Sequence, residues 1–142
     1  MVLIKLITMA QAIQRINPAG LHKNPAFSQA VVTNGAGKTI YIGGQNAVDE
    51  NAALIGKGDI VQQTEQVMKN LQTALKGCGA TFEDLVKLSI FLVDGQDLMK
   101  AFQASQKFLN SPNPPAVTVL MVSGLGNPDF LLEIEATAFL AA

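Results

Sequence analysis

Apolar and polar residues in this chain recur with the period of a strand in several stretches and of a helix in two. Residues 27–33 (FSQAVVT) and 38–44 (KTIYIGG) read as strands, and residues 34–37 (NGAG) between them have the composition of a hairpin turn. Residues 85–93 (LVKLSIFLV), 116–122 (AVTVLMV) and 131–139 (LLEIEATAF) read as three more, with a short strand over 12–16. Asp59 is placed to cap a helix whose apolar face carries Ile60, Val67, Met68, Leu71, Ala74 and Leu75, ended by Gly77 and Gly79. Gln62, Gln63, Gln66, Lys69 and Gln72 fall largely on its wet side. A second helix is expected over 97–109, with Leu98, Phe102, Phe108 and Leu109 apolar and Pro112, Pro114 and Pro115 stopping it. This order predicts an α+β architecture of one sheet and two helices.

Two helices cover one face of such a sheet, so the other face tests what else packs there. In 116–122 one face carries Val117, Val119 and Met121, the other Thr118, Leu120 and Val122. In 85–93 the two sets are Lys87, Ser89, Phe91, Val93 and Val86, Leu88, Ile90, Leu92. Apolar residues on both faces predict a homo-oligomer with the helix-free face as its interface; loops covering that face are the alternative.

At 142 residues the chain has the length of one domain, and 49% hydrophobic against 15% charged residues excludes a disordered or collagen-like chain. Ten basic and eleven acidic residues give a net charge of −1, which argues against a nucleic-acid reader. One cysteine and one histidine exclude an intrachain disulfide and multi-ligand zinc cages, so no metal or cofactor is expected and a reducing, cytoplasmic setting is. No apolar run is long enough to span a membrane. Residues 1–10 read as an N-terminal extension, with Met9 a possible alternative start.

Candidate chemistry is sparse. On the strand 131–139, Glu133, Glu135 and Thr137 share one face and Leu132, Ile134, Ala136 and Ala138 the other. A carboxylate there suits a general base or water-orienting group at a cleft, or equally a salt bridge on an exposed edge. Gly43, Gly44 and Gln45 close an apolar strand, where glycine marks close approach of a ligand or of a packed helix. Phosphate-cradling glycine motifs are absent. His22 in a Gly/Asn/Pro-rich stretch reads as a loop residue, Cys78 as a small buried or half-exposed thiol with no activating base, and Phe27, Phe91 and Phe102 as core.

The set PAFSQAVV (25–32), YIGGQ (41–45), NLQTALKGCGATFEDLVK (70–87), PAVTVLMV (115–122) and LLEIEATAF (131–139), in this order and spacing, resembles the RidA (YjgF) family. The resemblance runs from about Ile16 to Phe139. It implies a chorismate-mutase-like fold, a single mixed sheet with two helices on one face, and a homotrimer whose sheets close into a barrel with ligand clefts between subunits. It also implies a small-molecule ligand and hydrolysis of enamines or imines, such as 2-aminoacrylate, to a keto acid and ammonia. Some relatives carry labels such as translation inhibitor or ribonuclease. Carried across, Glu133 matches the family's catalytic glutamate, Gly44 the cleft glycine, and Gln45 follows it. Phe27 stands where the family commonly has tyrosine, and Phe102 where it has a cleft asparagine. In Pro115-Ala116-Val117 the valine occupies the place of the arginine that grips the substrate carboxylate. Valine offers no two-pronged charge, so the expected cleft is more apolar and its ligand less acidic than the family's.

Overall fold

A computed structural model describes residues 11–142, and the expected extension 1–10 lies outside them. The elements are β1 (Ile13–Ile16), β2 (Ala30–Thr33), β3 (Gly37–Gln45), α1 (Ile60–Gly77), a 3-10 turn (Phe82–Asp84), β4 (Leu85–Val93), α2 (Leu98–Ser105), β5 (Ala116–Val122) and β6 (Leu132–Ala141). Both helices pack on a mixed sheet of order β3-β6-β4-β5, in which β4 and β5 run parallel and the other pairs antiparallel. β1 and β2 form a separate antiparallel ribbon.

The ribbon corrects the expected hairpin at 34–37, because β2 pairs with β1 and β3 with β6. The cause is Asn34, which extends the β1 ladder instead of turning back on β2. Its N–H donates to Ala12 O at 2.8 Å, and its side chain donates to Gln11 O and Gln14 Oε1 at 3.0 and 3.2 Å. Gly35, at φ +80°, then swings the chain away to start β3. Strand pairing in β2 begins at Ala30, while Ser28 makes an isolated parallel bridge to Ala116 at the free edge of β5.

α1 starts where expected. Asp59 accepts hydrogen bonds from the Val61 and Gln62 N–H groups at 2.9 and 3.1 Å. The first of the causes holding the Asp59 carboxyl below its usual range is the Gln62 backbone N–H, set against some desolvation. At the other end the Cys78 and Ala80 N–H groups both donate to Leu75 O at 2.9 Å, and Cys78, expected buried or half-exposed, is exposed because it caps the helix on its outer side. α2 stops at Ser105, four residues short of the expected end. The Ser105 hydroxyl donates to Phe102 O, and Ser105 O receives both the Phe108 and Leu109 N–H groups, so residues 106–109 close as a turn.

The core lies between helices and sheet: Val67, Met68, Leu71 and Leu75 of α1 against Leu88 and Leu92 of β4 and Leu132, Ile134, Ala136 and Ala138 of β6. Burying each of the larger of these side chains, the valine, leucines, isoleucine and methionine, contributes about 1.5–3 kcal/mol. Gln63 corrects the wet-side assignment, being fully buried. It fills its hydrogen bonds on loop backbone: Nε2 donates to Asp129 O at 2.9 Å and Gly56 O at 3.2 Å, and Oε1 accepts from Leu131 N–H at 2.9 Å. That amide fixes the approach to β6.

The helix-free face is mixed in character. Lys87, Ser89, Thr118, Glu135 and Thr137 stand among Phe91, Leu120 and Val122. Tyr41 is 81% exposed and Leu120 47%. At one end β2 curls over this face, bordering a half-open pocket of about 340 Å³ between Val31 and Thr33 on the ribbon and Thr39, Lys87, Thr137 and Phe139 on the sheet. Among the described residues, ribbon and loop cover this end and leave Tyr41 and Leu120 exposed.

Candidate functional site

β3 is interrupted by a bulge: Ile42 pairs with Ala136, but Gln45 pairs with Ile134. Two β3 residues, Gly43 and Gly44, therefore stand opposite the single β6 residue Glu135, and the bulge carries Gly44 against β6 beside Glu133. A Cβ built on Gly44 would collide with Glu133 Oε1 and sit 2.6 Å from Glu133 Cδ. Only glycine leaves this room. Gln45 turns its Nε2 back to Gly43 O at 3.1 Å.

Asn46, which no sequence motif singled out, is the side chain that holds Glu133. Its Nδ2 donates to Glu133 Oε2 and to Leu132 O, both at 3.3 Å. Asn46 is itself held from α1, where Asn70 Nδ2 donates to Asn46 O and Val48 O at 2.9 Å. Gln66 Nε2 completes the chain by donating to Asn70 Oδ1 at 2.9 Å, one helical turn away. The carboxylate is therefore fixed on one oxygen, with the other over Gly44. The signal available in sequence was the i, i+4 pair of amides on α1, which helical periodicity alone reads as surface.

The remaining expected residues form a second group. Ser28 N–H donates to Pro115 O at 2.9 Å and its hydroxyl to Pro114 O at 2.6 Å, which pins the segment of Phe27 and Ser28 to the start of β5. Phe27 meets His22 edge to face at 5.8 Å between ring centroids. Val117 is half-buried against the core, on the helix side of β5. Phe102, expected first as core, is exposed on α2.

One chain does not bring the two groups together. Glu133 is in register with Phe91 and, through it, Leu120, whereas Val117 is in register with Leu88 and Ala136. Val117 thus lies two strands across, about 10 Å, three residues along, and on the opposite face. Arg15, the only arginine of the sequence, is committed elsewhere, with Nη2 donating to Glu83 O at 2.7 Å. Lys87 Nζ donates to the Thr118 hydroxyl at 2.6 Å. Among the described residues no group of three or more His, Cys, Asp or Glu is placed to hold a metal ion, and no helix is long and apolar enough to cross a membrane.

A mixed sheet backed by two helices, with a glutamate lodged over a bulge glycine, defines a small α+β protein of the Rid type. A family model described as Endoribonuclease L-PSP matches residues 19–140. A RutC family protein of Pyrococcus horikoshii is 35% identical over 113 residues, covering 80% of this chain and 86% of that relative. The human 2-iminobutanoate/2-iminopropanoate deaminase is 30% identical over 134 residues, covering 94% of this chain and 88% of that enzyme. The crystal structure of a Rid-family protein of unknown function from Yersinia pestis superposes with a TM-score of 0.82 at 35% identity, covering 92% of this chain and all of that one. The chain belongs to the RidA (YjgF) family.

Proposed function

We propose that this protein is a homotrimer that binds and hydrolyses a small imine, enamine or related carbonyl metabolite in clefts between subunits. Glu133 is its working carboxylate. The observation that carries the reading is the placement of Glu133: one oxygen held by Asn46, the other lodged over Gly44 in the room that a side chain there would need. The two separated groups support the trimer. The Gly44–Gln45–Glu133 group of one subunit gains a wall if Phe27, Phe102, Ala116 and Val117 of the next subunit close on it, and the exposed Tyr41 and Leu120 gain cover.

In this mechanism Glu133 accepts a proton from a water molecule as its oxygen bonds to the imine carbon. Glu133 passes that proton to the nitrogen, the proton of the new hydroxyl follows it as the tetrahedral intermediate collapses, and ammonia leaves with the carbonyl product formed. No cofactor is needed. With valine at 117 and phenylalanine at 27 and 102, the cleft wall offers no charged grip for a substrate carboxylate. A hydrogen bond to a charged group contributes about 1.5–3 kcal/mol, so this absence weakens carboxylate binding by roughly ten- to a hundredfold.

A second reading, hydrolysis of 2-imino acids without the arginine, is favoured by the names of the deaminase relatives. A nucleic-acid role, which the family description would suggest, meets a net charge of −1. Lys57, Lys100 and Lys107 are moreover paired with acids. We place the protein in the cytoplasm on its cysteine content.

The test is ammonia release above the spontaneous rate, with imines generated in situ from primary amines by an amine oxidase and from amino acids by an amino-acid oxidase. Wild type accelerates release and Glu133→Ala does not. Equal acceleration by both proteins on both substrate sets contradicts the assignment.

A further inference from the structure

The charge around Glu133 is lopsided. Among the described residues the ion pairs join Lys57 to Asp129, Lys100 to Asp97 and Lys107 to Glu65, so Glu133 has no cationic partner. Glu135 shares its face two residues on. The residues facing this pair in register, Phe91 and Ser89, are uncharged, as are Gly43, Gly44, Gln45 and Asn46 of the bulge. On the helix-free face of the four-stranded sheet the one basic side chain is Lys87, opposite Thr137 and bonded to Thr118. Asn46 spends its amide N–H groups on Leu132 O and Glu133 Oε2, which leaves Oδ1 as a further acceptor.

The site therefore presents acceptors: a half-buried carboxylate oxygen over Gly44, an amide oxygen beside it, and a second carboxylate nearby. A partly desolvated carboxylate without a counter-ion is costly and gains most from a cation brought by the ligand. Phe91, opposite Glu133 in the ladder, brings no charge that would compete for the carboxylate. A carboxylate on the ligand would meet like charge at Glu133 and Glu135.

We propose that the ligand of this site is a small organic cation carrying no carboxylate, a protonated imine, amine or amidine, whose N–H groups donate to Glu133 Oε1. This deepens the functional reading above and rests on it, since it takes Glu133 as the ligand-facing group. It also suits the chemistry. A protonated imine carbon is the more electrophilic, and its hydrolysis balances as one iminium and one water giving one carbonyl compound and one ammonium ion.

The experiment is calorimetric titration of the full chain with three molecules of nearly one shape: butanamidine, a cation at neutral pH, butanamide, which is neutral, and butanoate. Butanamidine binds at least roughly tenfold tighter than butanamide, and butanoate binds weakest. Glu133→Gln, which keeps shape and removes charge, erases the preference for the cation while leaving butanamide affinity nearly unchanged. Glu135→Gln weakens the cation by a smaller factor. Butanoate binding as tightly as butanamidine, butanamidine binding indifferent to Glu133→Gln, or no detectable butanamidine binding overturns the proposal. If Glu133→Ala abolishes imine hydrolysis while butanoate is preferred, the functional reading stands and the cation inference falls. A cation preference that depends on Glu133 beside imine turnover that does not gives the reverse.

Discussion

The carboxylate of Glu133 occupies the space that a side chain on Gly44 would need, with Glu133 Cδ 2.6 Å from where that Cβ would stand. The two residues lie 89 positions apart in the chain and meet because a bulge in β3 brings Gly44 against β6. Gly44→Ala must therefore swing Glu133 out of place. Misplacement of a reacting group by about 1 Å costs up to a hundredfold in rate, so imine turnover falls roughly ten- to a hundredfold. Thermal stability changes little, because the displaced group is the flexible end of a side chain. Combining Gly44→Ala with Glu133→Ala gives no further loss of rate, which steady-state kinetics on the double variant checks.

Asn46 and Asn70 separate positioning from stability. Asn46→Ala leaves Glu133 Oε2 without its donor, so kcat falls roughly tenfold with KM less affected. Asn70→Ala deprives Asn46 O and Val48 O of their partner and costs about 1–3 kcal/mol of stability, read by urea denaturation.

Gln63 is the polar residue on which the core depends most. Gln63→Leu leaves Asp129 O, Gly56 O and Leu131 N–H unsatisfied. The predicted cost is about 2–4 kcal/mol, from a per-group penalty of about 1–3 kcal/mol partly relieved by water. A denaturant midpoint equal to wild type would refute this.

The architecture was legible in the sequence because strand and helix periods are local. β4 and β5 begin and end where alternation predicts, and Asp59 caps α1 as its composition suggests. What the sequence hid is non-local. The 34–37 turn carries hairpin residues, but Asn34 finds its partners on β1. Gln63 looks like a surface residue by helical phase, yet loop backbone from 56 and 129–131 closes over it. The same holds for the site. Gly44 and Glu133 were each legible as candidates, but Asn46 acquires its place only through the bulge and the reach of Asn70 from α1.

Asp59 gives a pH dependence whose sign is fixed. Its folded-state carboxyl titrates below the usual range, first because of the Gln62 N–H. The stability it contributes is present above the unfolded value, about 3.9, and is lost as pH falls through the lower folded value. Asp59→Ala is therefore less stable than wild type at neutral pH, and the difference closes under strongly acidic conditions. Urea unfolding of both proteins across that range checks it, and a gap that widens on acidification would contradict the capping role.

The account turns on a cleft that uses Glu133 without a grip for carboxylate. The direct measurement is the ratio of kcat/KM for a carboxylate-free imine to that for the 2-imino acid of the same chain length, in wild type and in Val117→Arg. The ratio in wild type is predicted to exceed one and to fall roughly tenfold or more in Val117→Arg, as the new guanidinium supplies the missing partner. A wild-type ratio below one that Val117→Arg leaves unchanged would contradict the account.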